Sequence, residues 1–246
     1  MSPLAGSNRV NKPLSVRKLR EIIELGENDT VEFKRRFSDF EKIAKEMIAF
    51  ANTRGGMILI GVDDDGSIVG VDSEKHEIEL VTTTGEFYCD PAIDSDIEIV
   101  EIDGVDVIAI SILESQTKPH HLLSRVKGES RRGPVGKEGR NRVEEDSMRP
   151  RPVYIRQGDR SVIASKEVER VLAAHHPDAP PLTLHIGKIE QALFDYLEKN
   201  PRITLREFRH HVNISERRAS RMMVRLVRAG LVRIFTDEAE DYYTLA

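Results

Sequence analysis

The spacing of apolar and polar positions in the first fifty residues predicts a helix, a strand and a second helix. In residues 15–26 apolar side chains recur every three or four positions between Ser15, a capping residue, and Gly26, which ends the pattern. Residues 30–35 then alternate apolar and polar side chains, as a strand does. Residues 37–52 return to helical spacing, so a longer amphipathic helix is expected there.

The next hundred residues favour strands over helices. A continuous apolar run followed by an acidic Asp-Gly turn predicts a β-hairpin over residues 57–71. Two alternating segments meet at Asp103–Gly104, and a helix is expected before them over residues 73–88. A strand and a tight turn are expected over residues 152–165, followed by one more helix. Mixed helices and strands of this kind predict an α+β domain built on a mixed sheet.

The C-terminal sixty residues carry a different pattern. Three helices are expected over residues 187–200, 204–212 and 215–230, and two short strands around a polar turn follow them. A helix, a helix-turn-helix and a β-wing in this order predict a small winged-helix domain. The expected organisation is a flexible N-terminus at 1–14, an α+β domain at 15–174 with a basic loop at 124–151, a proline-rich linker at 175–185 and the winged helix at 186–246.

Composition narrows the class of protein. The chain has 246 residues, 39% of them hydrophobic and 32% charged, which is typical of a globular protein. A single cysteine, Cys89, excludes a disulfide framework and a cysteine-rich zinc site. The sequence has neither an apolar run long enough to span a bilayer nor the layout of a signal peptide at its start, so a cytoplasmic location without membrane contact is expected.

Charge is distributed unevenly along the chain. The net charge is −5, yet residues 202–233 hold nine arginines against two glutamates, a local charge of +7. Arginines on the exposed face of a recognition helix can pair with phosphates or with guanine edges. The alternative is a solvated face on a module that binds protein. Nucleic-acid contact is predicted for four arginines of the third C-terminal helix: Arg217, Arg218, Arg221 and Arg225.

Acidic residues cluster near the first strand. Glu27 and Glu32 flank a short turn, and three consecutive aspartates, 63–65, lie in the predicted hairpin. Converging carboxylates repel one another unless a hard cation such as Mg²⁺ or Mn²⁺ neutralises them, and such an ion can activate water beside a phosphodiester. Lys34 follows on the same strand face as Glu32. The competing interpretation is a salt-bridged surface with an ordinary acidic turn.

Three segments together resemble a known family. EFKRR, IAKEMIAFANTRGGMILIGVDDDGSIVGV and YIRQGDRSVIAS look like the AlbA_2 domain of Schlafen proteins and their prokaryotic relatives, over residues from about Leu14 to about Leu172. Prokaryotic relatives often join this domain to a winged helix and are described as transcriptional regulators. The chain lacks the G-x-x-x-x-G-K-[ST] motif, so no nucleotide cofactor is expected.

The resemblance implies a set of site residues. Schlafen nucleases cut tRNA and rRNA with two glutamates around the EFK motif and one aspartate in the GVxD segment. By position these are Glu27, Glu32 and Asp64, which would be both catalytic residues and ligands of Mg²⁺ or Mn²⁺. Lys34 would assist catalysis, and Arg156 would contact phosphate unless a structural salt bridge holds it.

The chain also departs from the family pattern. The zinc-binding residues of animal Schlafens cannot form with one cysteine, and only one AlbA_2 copy is present. A single copy could recreate the paired groove by forming a homodimer, which we therefore expect. The basic loop 124–151 would line that groove or be a solvated insertion. The histidine pairs at 120–121, 175–176 and 210–211 are expected at the surface.

Two functional hypotheses follow. The first is a metal-dependent endoribonuclease that acts on structured RNA such as tRNA. The second is a non-catalytic DNA-binding transcriptional regulator that uses the winged helix and dimerises through its AlbA_2 domain.

Overall fold

The computed structural model describes residues 13–123, 151–179, 182, 184–237 and 240–246. The helices are α1 (Val16–Leu25), α2 (Phe40–Asn52), α3 (Glu74–Phe87), α4 (Lys166–Ala173), α5 (Lys188–Leu197), α6 (Leu205–His211) and α7 (Glu216–Arg228). The strands are β1 (Val31–Lys34), β2 (Gly56–Ile60), β3 (Cys89–Asp90), β4 (Asp96–Ile102), β5 (Val105–Ile112), β6 (His121–Leu122), β7 (Tyr154–Gln157), β8 (Arg160–Ile163), β9 (Ile203–Thr204), β10 (Val232–Phe235) and β11 (Tyr242–Leu245).

A four-stranded mixed sheet organises the N-terminal part of the chain. Its strand order is β1-β2-β5-β4, with β1 and β2 parallel and the other two pairs antiparallel. The predicted α+β class with a mixed sheet is therefore confirmed.

Both faces of this sheet are buried by helices. On one face Ile58 and Ile60 pack with α2 and α3. Met47 and Phe50, both in α2, are fully buried there. On the other face Leu59 packs with α1 in a second cluster. Side chains alternate between the faces of a strand, so one five-residue strand supplies both clusters.

Local sequence signals correctly predicted where α1 begins and ends and where β4 turns into β5. Ser15 caps α1 by accepting a hydrogen bond from the Lys18 N–H, and Gly26 ends the helix at φ 72°. The turn between β4 and β5 has positive φ at both central residues, Asp103 and Gly104, as a type I′ hairpin turn requires.

The predicted hairpin at 57–71 forms only in part. β2 is present, but its partners are β1 and β5, and the returning segment contributes one isolated bridge, Val62↔Ile68. The carbonyl of Gly61 accepts hydrogen bonds from the N–H groups of Val69 and Gly70. A Cβ on Gly61, whose φ is +99°, would lie 3.1 Å from Gly70, so this close approach needs glycine. The segment is consequently a tight acidic loop at the end of the sheet.

The C-terminal part has the element order of a winged helix. Helices α5, α6 and α7 pack against an antiparallel sheet of order β10-β11-β9 around buried Leu193, Phe208 and Met223. The three helices and two of the strands were predicted, whereas the two-residue β9 was not. The predicted limits of the linker, 175 and 185, stay a prediction.

Part of the sequence lies outside the described residues. The predicted flexible N-terminus is described only from residue 13, and the predicted basic loop only at Arg151. In the ranges that are described, no helix has both the length and the apolar character needed to cross a membrane.

Candidate nucleic-acid interface and acidic site

A buried ionic network lies beneath the end of β1. Arg156 of β7 donates from Nη1 to Glu32 Oε2 at 2.9 Å and to Glu46 Oε2 at 3.0 Å, and its side chain is 0% exposed. Its Nη2 donates to the Asn28 carbonyl at 2.6 Å, and its guanidinium carbon lies 4.7 Å from the centre of the Phe50 ring. Arg156 therefore forms a structural salt bridge, which was one of the two roles predicted for it. Its guanidinium does not reach solvent, so it cannot contact a phosphate in this arrangement.

Glu32 is held by two cations. Its Oε2 pairs with Arg156 and its Oε1 accepts from Lys34 Nζ, while the residue is only 7% exposed. Lys34 also donates to the Phe33 carbonyl at 2.8 Å. The face of β1 that was predicted to be polar is therefore polar but covered, since β7 places a charged partner over it.

Glu27 is half-buried in the turn that precedes β1. Its Oε1 accepts from the Phe33 N–H at 2.8 Å across the turn that precedes β1. Partial burial raises the pKa of the Glu27 carboxyl, and the negative charges of Glu32 and Asp64 raise it further, against the lowering effects of the Phe33 N–H and Lys34. The three predicted acids are thus close enough to sense one another electrostatically.

Asp64 lies exposed in the loop after β2. Its N–H donates to Asp63 Oδ1 at 3.1 Å. Asp63 is paired with Arg35 at 2.6 Å, and the pKa of the Asp65 carboxyl is lowered chiefly by its hydrogen bonds to Ser67. Two of the three loop acids therefore have local partners, whereas the exposed Asp64 forms no ion pair among the described residues.

The fit of a divalent metal can be tested on these positions. Among the residues that the structure describes, no group of three or more His, Cys, Asp or Glu side chains is placed to hold a metal ion. Both oxygens of Glu32 already accept hydrogen bonds from cationic partners, Lys34 and Arg156, so its negative charge is compensated without a metal ion. In this arrangement the three acids do not form a metal centre, and binding of Mg²⁺ or Mn²⁺ stays a prediction.

The residues that support the network were missed by sequence reasoning. Glu46 also accepts from the Ser161 hydroxyl, and Thr53 Oγ1 accepts from the Arg156 N–H at 3.0 Å. A signal was available for Glu46, because it lies three residues after Ile43 and four before Phe50, on the apolar face of α2. A carboxylate on a buried face needs a charged partner.

One histidine prediction was wrong. His120, expected at the surface, is 3% exposed; its Nδ1 lies 2.7 Å from the Pro91 carbonyl and its Nε2 lies 2.7 Å from Ser115 Oγ. A carbonyl can only accept, so Nδ1 carries the hydrogen and Nε2 accepts from the serine hydroxyl. The other member of the pair, His121, is half-buried in β6.

The arginines of α7 divide into two groups. Arg217, Arg218 and Arg221 are exposed and form no ion pair among the described residues. Arg225 instead lies 3.5 Å from Glu190 of α5, and its Nε is buried. Three of the four predicted contacts on this helix are therefore presented to solvent, while the fourth joins α7 to α5.

Family comparison assigns the N-terminal part of the chain. The family model described as Schlafen, AlbA_2 matches residues 27–165, more than half of the chain. The chain belongs to the Schlafen AlbA_2 family. This membership supports a function related to nucleic acid.

Solved structures give weaker similarities. One is the N-terminal domain of a protein from Nitrosomonas europaea described as related to the ATP-dependent DNA helicase RecG, at 22% identity and a TM-score of 0.38, covering 53% of this chain and 95% of that one. Another is the DIP2311 protein of Corynebacterium diphtheriae, at 18% identity and a TM-score of 0.41, covering 67% of this chain and 31% of that one. At these TM-scores neither similarity bears on the function. No curated protein matches the chain.

Proposed function

We propose that this protein binds nucleic acid through the exposed arginines of α7. The observation that carries the proposal is the trio Arg217, Arg218 and Arg221, whose guanidiniums face solvent with no acidic partner among the described residues. An arginine without a carboxylate partner keeps its charge and its donors for phosphate oxygens.

The position of these arginines supports the same conclusion. They lie on the face of α7 opposite Ala219, Met223 and Leu226, which are fully buried in the core of the C-terminal unit. α7 is the second helix of the helix-turn-helix, and that helix enters the major groove in proteins of this architecture. The charges are thus on the helix and on the face where a duplex would contact them.

A double substitution tests this proposal. Arg217→Ala with Arg221→Ala should weaken binding to a duplex and make its dependence on salt shallower by about one unit of slope for each phosphate that loses its arginine. Fluorescence anisotropy with labelled DNA and RNA duplexes, at several salt concentrations, measures both quantities.

A matched control comes from α1. Arg17, whose side chain is 90% exposed, lies outside the C-terminal unit, so Arg17→Ala should leave affinity and salt slope unchanged. Equal effects of the control and the double variant, or no effect of either, would contradict the proposal.

A second candidate function, endoribonuclease activity, rests on Glu27. Its pKa is raised, which is characteristic of carboxyl groups that exchange protons at an active site, and its second oxygen has no hydrogen-bond partner among the described residues. In this function Glu27 would exchange a proton with a reacting hydroxyl. Lys34, now paired with Glu32, would offset the charge of the phosphate.

Cleavage assays separate the two candidates. Purified protein is incubated with a tRNA transcript, with Mg²⁺, with Mn²⁺ and with a chelator. If the protein is a nuclease, it should cleave the transcript, and either Glu27→Gln or Asp64→Ala should abolish that cleavage. Glu24 is an exposed acid of α1, so Glu24→Gln should leave cleavage unchanged. Cleavage that survives Glu27→Gln would remove this site from consideration. Specific duplex binding with no cleavage of any RNA would favour the non-catalytic regulator.

A further inference from the structure

The outer face of the C-terminal sheet carries a pair of parallel aromatic rings. Phe235 of β10 and Tyr242 of β11 are directly paired across the strands, with ring centroids 5.3 Å apart and planes inclined by 10°. The guanidinium carbon of Arg202 lies 5.0 Å from the centre of the Tyr242 ring. This surface, together with Arg233, is called the wing platform below.

The core does not account for these aromatic side chains. The opposite face of the same sheet supplies the buried residues, among them Val232, Ile203 and Tyr243. Phe235 is 40% exposed, although the outer face of a small antiparallel sheet is usually polar. Solvent-exposed aromatic area on a folded unit commonly marks a binding surface.

The charges around the rings select the partner. Arg202 and Arg233 are exposed and form no ion pair among the described residues, and Arg233 lies on the same face as Phe235, two positions before it. At the other edge a cavity is lined by both acidic and basic side chains, among them Glu207, Glu240 and Arg206. The unpaired positive charges of the platform itself therefore favour a polyanion, which would meet Arg233 beside the exposed ring of Phe235.

We propose that the wing platform binds unpaired bases of single-stranded nucleic acid by stacking a base on Phe235, which is itself stacked on Tyr242. The two rings are already parallel and Arg202 lies over Tyr242, so a base can extend the stack at the exposed Phe235 without rearranging it, and Arg233 on the same face contacts the adjoining phosphate. This inference rests on the proposed function and adds a second binding surface to it. The arginines of α7 hold a duplex, while the platform holds a single-stranded segment next to it.

The absence of tryptophan from the sequence provides a direct test. Phe235→Trp introduces a single indole fluorophore into the platform, and its emission should be quenched on addition of a single-stranded oligonucleotide. A blunt duplex of equal length should quench it little. The control is Leu113→Trp, at a site that is 62% exposed near the end of β5, where neither oligonucleotide should change the emission.

An affinity measurement complements the fluorescence. Phe235→Ala should weaken single-strand binding by about 5-fold to 100-fold, as expected for the loss of one stacked base, and change duplex affinity by less than about 2-fold. Thermal unfolding of both variants establishes that they are folded. Absence of quenching in Phe235→Trp, or equal loss of single-strand and duplex binding in Phe235→Ala, would overturn the platform.

The two proposals fail in different ways. If duplex binding depends on Arg217 and Arg221 but Phe235→Trp is not quenched, the platform is wrong and the function of α7 stands. If the unsubstituted protein binds neither single strands nor duplexes, both proposals fall.

Discussion

At the scale of single residues, Arg156 joins two buried carboxylates. One guanidinium donates to Glu32, to Glu46 and to the Asn28 carbonyl, with its side chain closed to solvent. A buried carboxylate that loses its partner retains its full desolvation cost. The network therefore fixes the geometry of β1 beside Glu27, even if its net contribution to stability is small.

Removing that cation should be costly. Arg156→Met is expected to lower the free energy of unfolding by about 3–5 kcal/mol, because Glu32 would keep only Lys34 as a cationic partner and the buried Glu46 would lose its closest cation. Chemical denaturation measures the change. Arg54→Ala, which removes a 76% exposed arginine from its pair with Asp29, should have little effect. Similar values for the two variants would contradict the assigned network.

His120 should make stability depend on pH. Burial lowers the pKa of its imidazole below 6.5, so the unfolded chain binds this proton more readily than the folded protein does. The stabilising contribution is complete above about pH 6.5 and is lost as the pH falls below it, toward the lowered folded pKa.

The measurement is a comparison of two unfolding series between pH 5 and pH 8. His120→Gln cannot titrate, so the difference in the free energy of unfolding between wild type and variant should shrink as the pH is lowered through 6.5. A constant difference in the free energy of unfolding between pH 5 and pH 8 would show that His120 binds its proton equally well in the folded and unfolded states.

At the scale of elements, the end of α2 joins separate parts of the chain. Asn52 donates from Nδ2 to the carbonyls of His120 and Tyr154, each at 3.0 Å, and accepts from the His120 N–H at 2.8 Å. The next residue, Thr53, accepts from the Arg156 N–H. The Asn-Thr pair of the AFANT motif thus positions β6 and β7, and through β7 the buried arginine.

Loss of this connection should affect the whole N-terminal unit. Asn52→Ala leaves two buried carbonyls and one buried N–H without partners and is expected to cost about 3 kcal/mol or more of unfolding free energy. The control is Asn200→Ala, which removes one hydrogen bond to the Tyr196 carbonyl after α5. Equal losses measured by denaturant titration would argue against the special role of Asn52.

At the scale of the whole molecule, α4 contacts the C-terminal unit through α7. The Ser220 hydroxyl of α7 donates to Glu167 of α4 at 2.6 Å and also contacts Arg170. On the wing side, Gln157 donates to the Thr236 carbonyl at 2.7 Å. These contacts hold α7 against the N-terminal unit and leave Arg217, Arg218 and Arg221 exposed.

A bulky residue at this contact should separate the two helices. Ser220 is 2% exposed, so Ser220→Tyr cannot be accommodated without moving α4. Backbone hydrogen exchange in α4 should accelerate while exchange in β2 and β5 stays unchanged. Arg218→Tyr, at an exposed position on the opposite side of the same helix, should not affect α4. Unchanged exchange in Ser220→Tyr would contradict this contact.

Several expectations concern the assembled molecule and stay predictions. They are the homodimer, a groove lined by the loop 124–151, and a cytoplasmic location. A measurement of molar mass in solution would test the first directly. If deletion of the loop 124–151 abolished the dimer, the loop would contribute to the groove between the two copies.

The local elements followed from the sequence because their determinants are local. Ser15 caps the helix that it was predicted to cap, and Asp103–Gly104 forms the turn that its residue types favour. The family was likewise readable, since its motif is a contiguous stretch of the chain. Periodicity also separated the buried side of α7 from its arginine face.

The environment of each charge depended on tertiary structure. Arg156 is 124 residues from Glu32 and 110 from Glu46 along the chain, and no local pattern could show that it neutralises both. Arg225 resembles Arg221 in sequence, yet only Arg225 faces an acid on a neighbouring helix. The sequence alone determined which groups are charged and which elements carry them. Which charges are paired depends on distances of a few ångströms between segments far apart in the chain, and only the folded structure sets those distances.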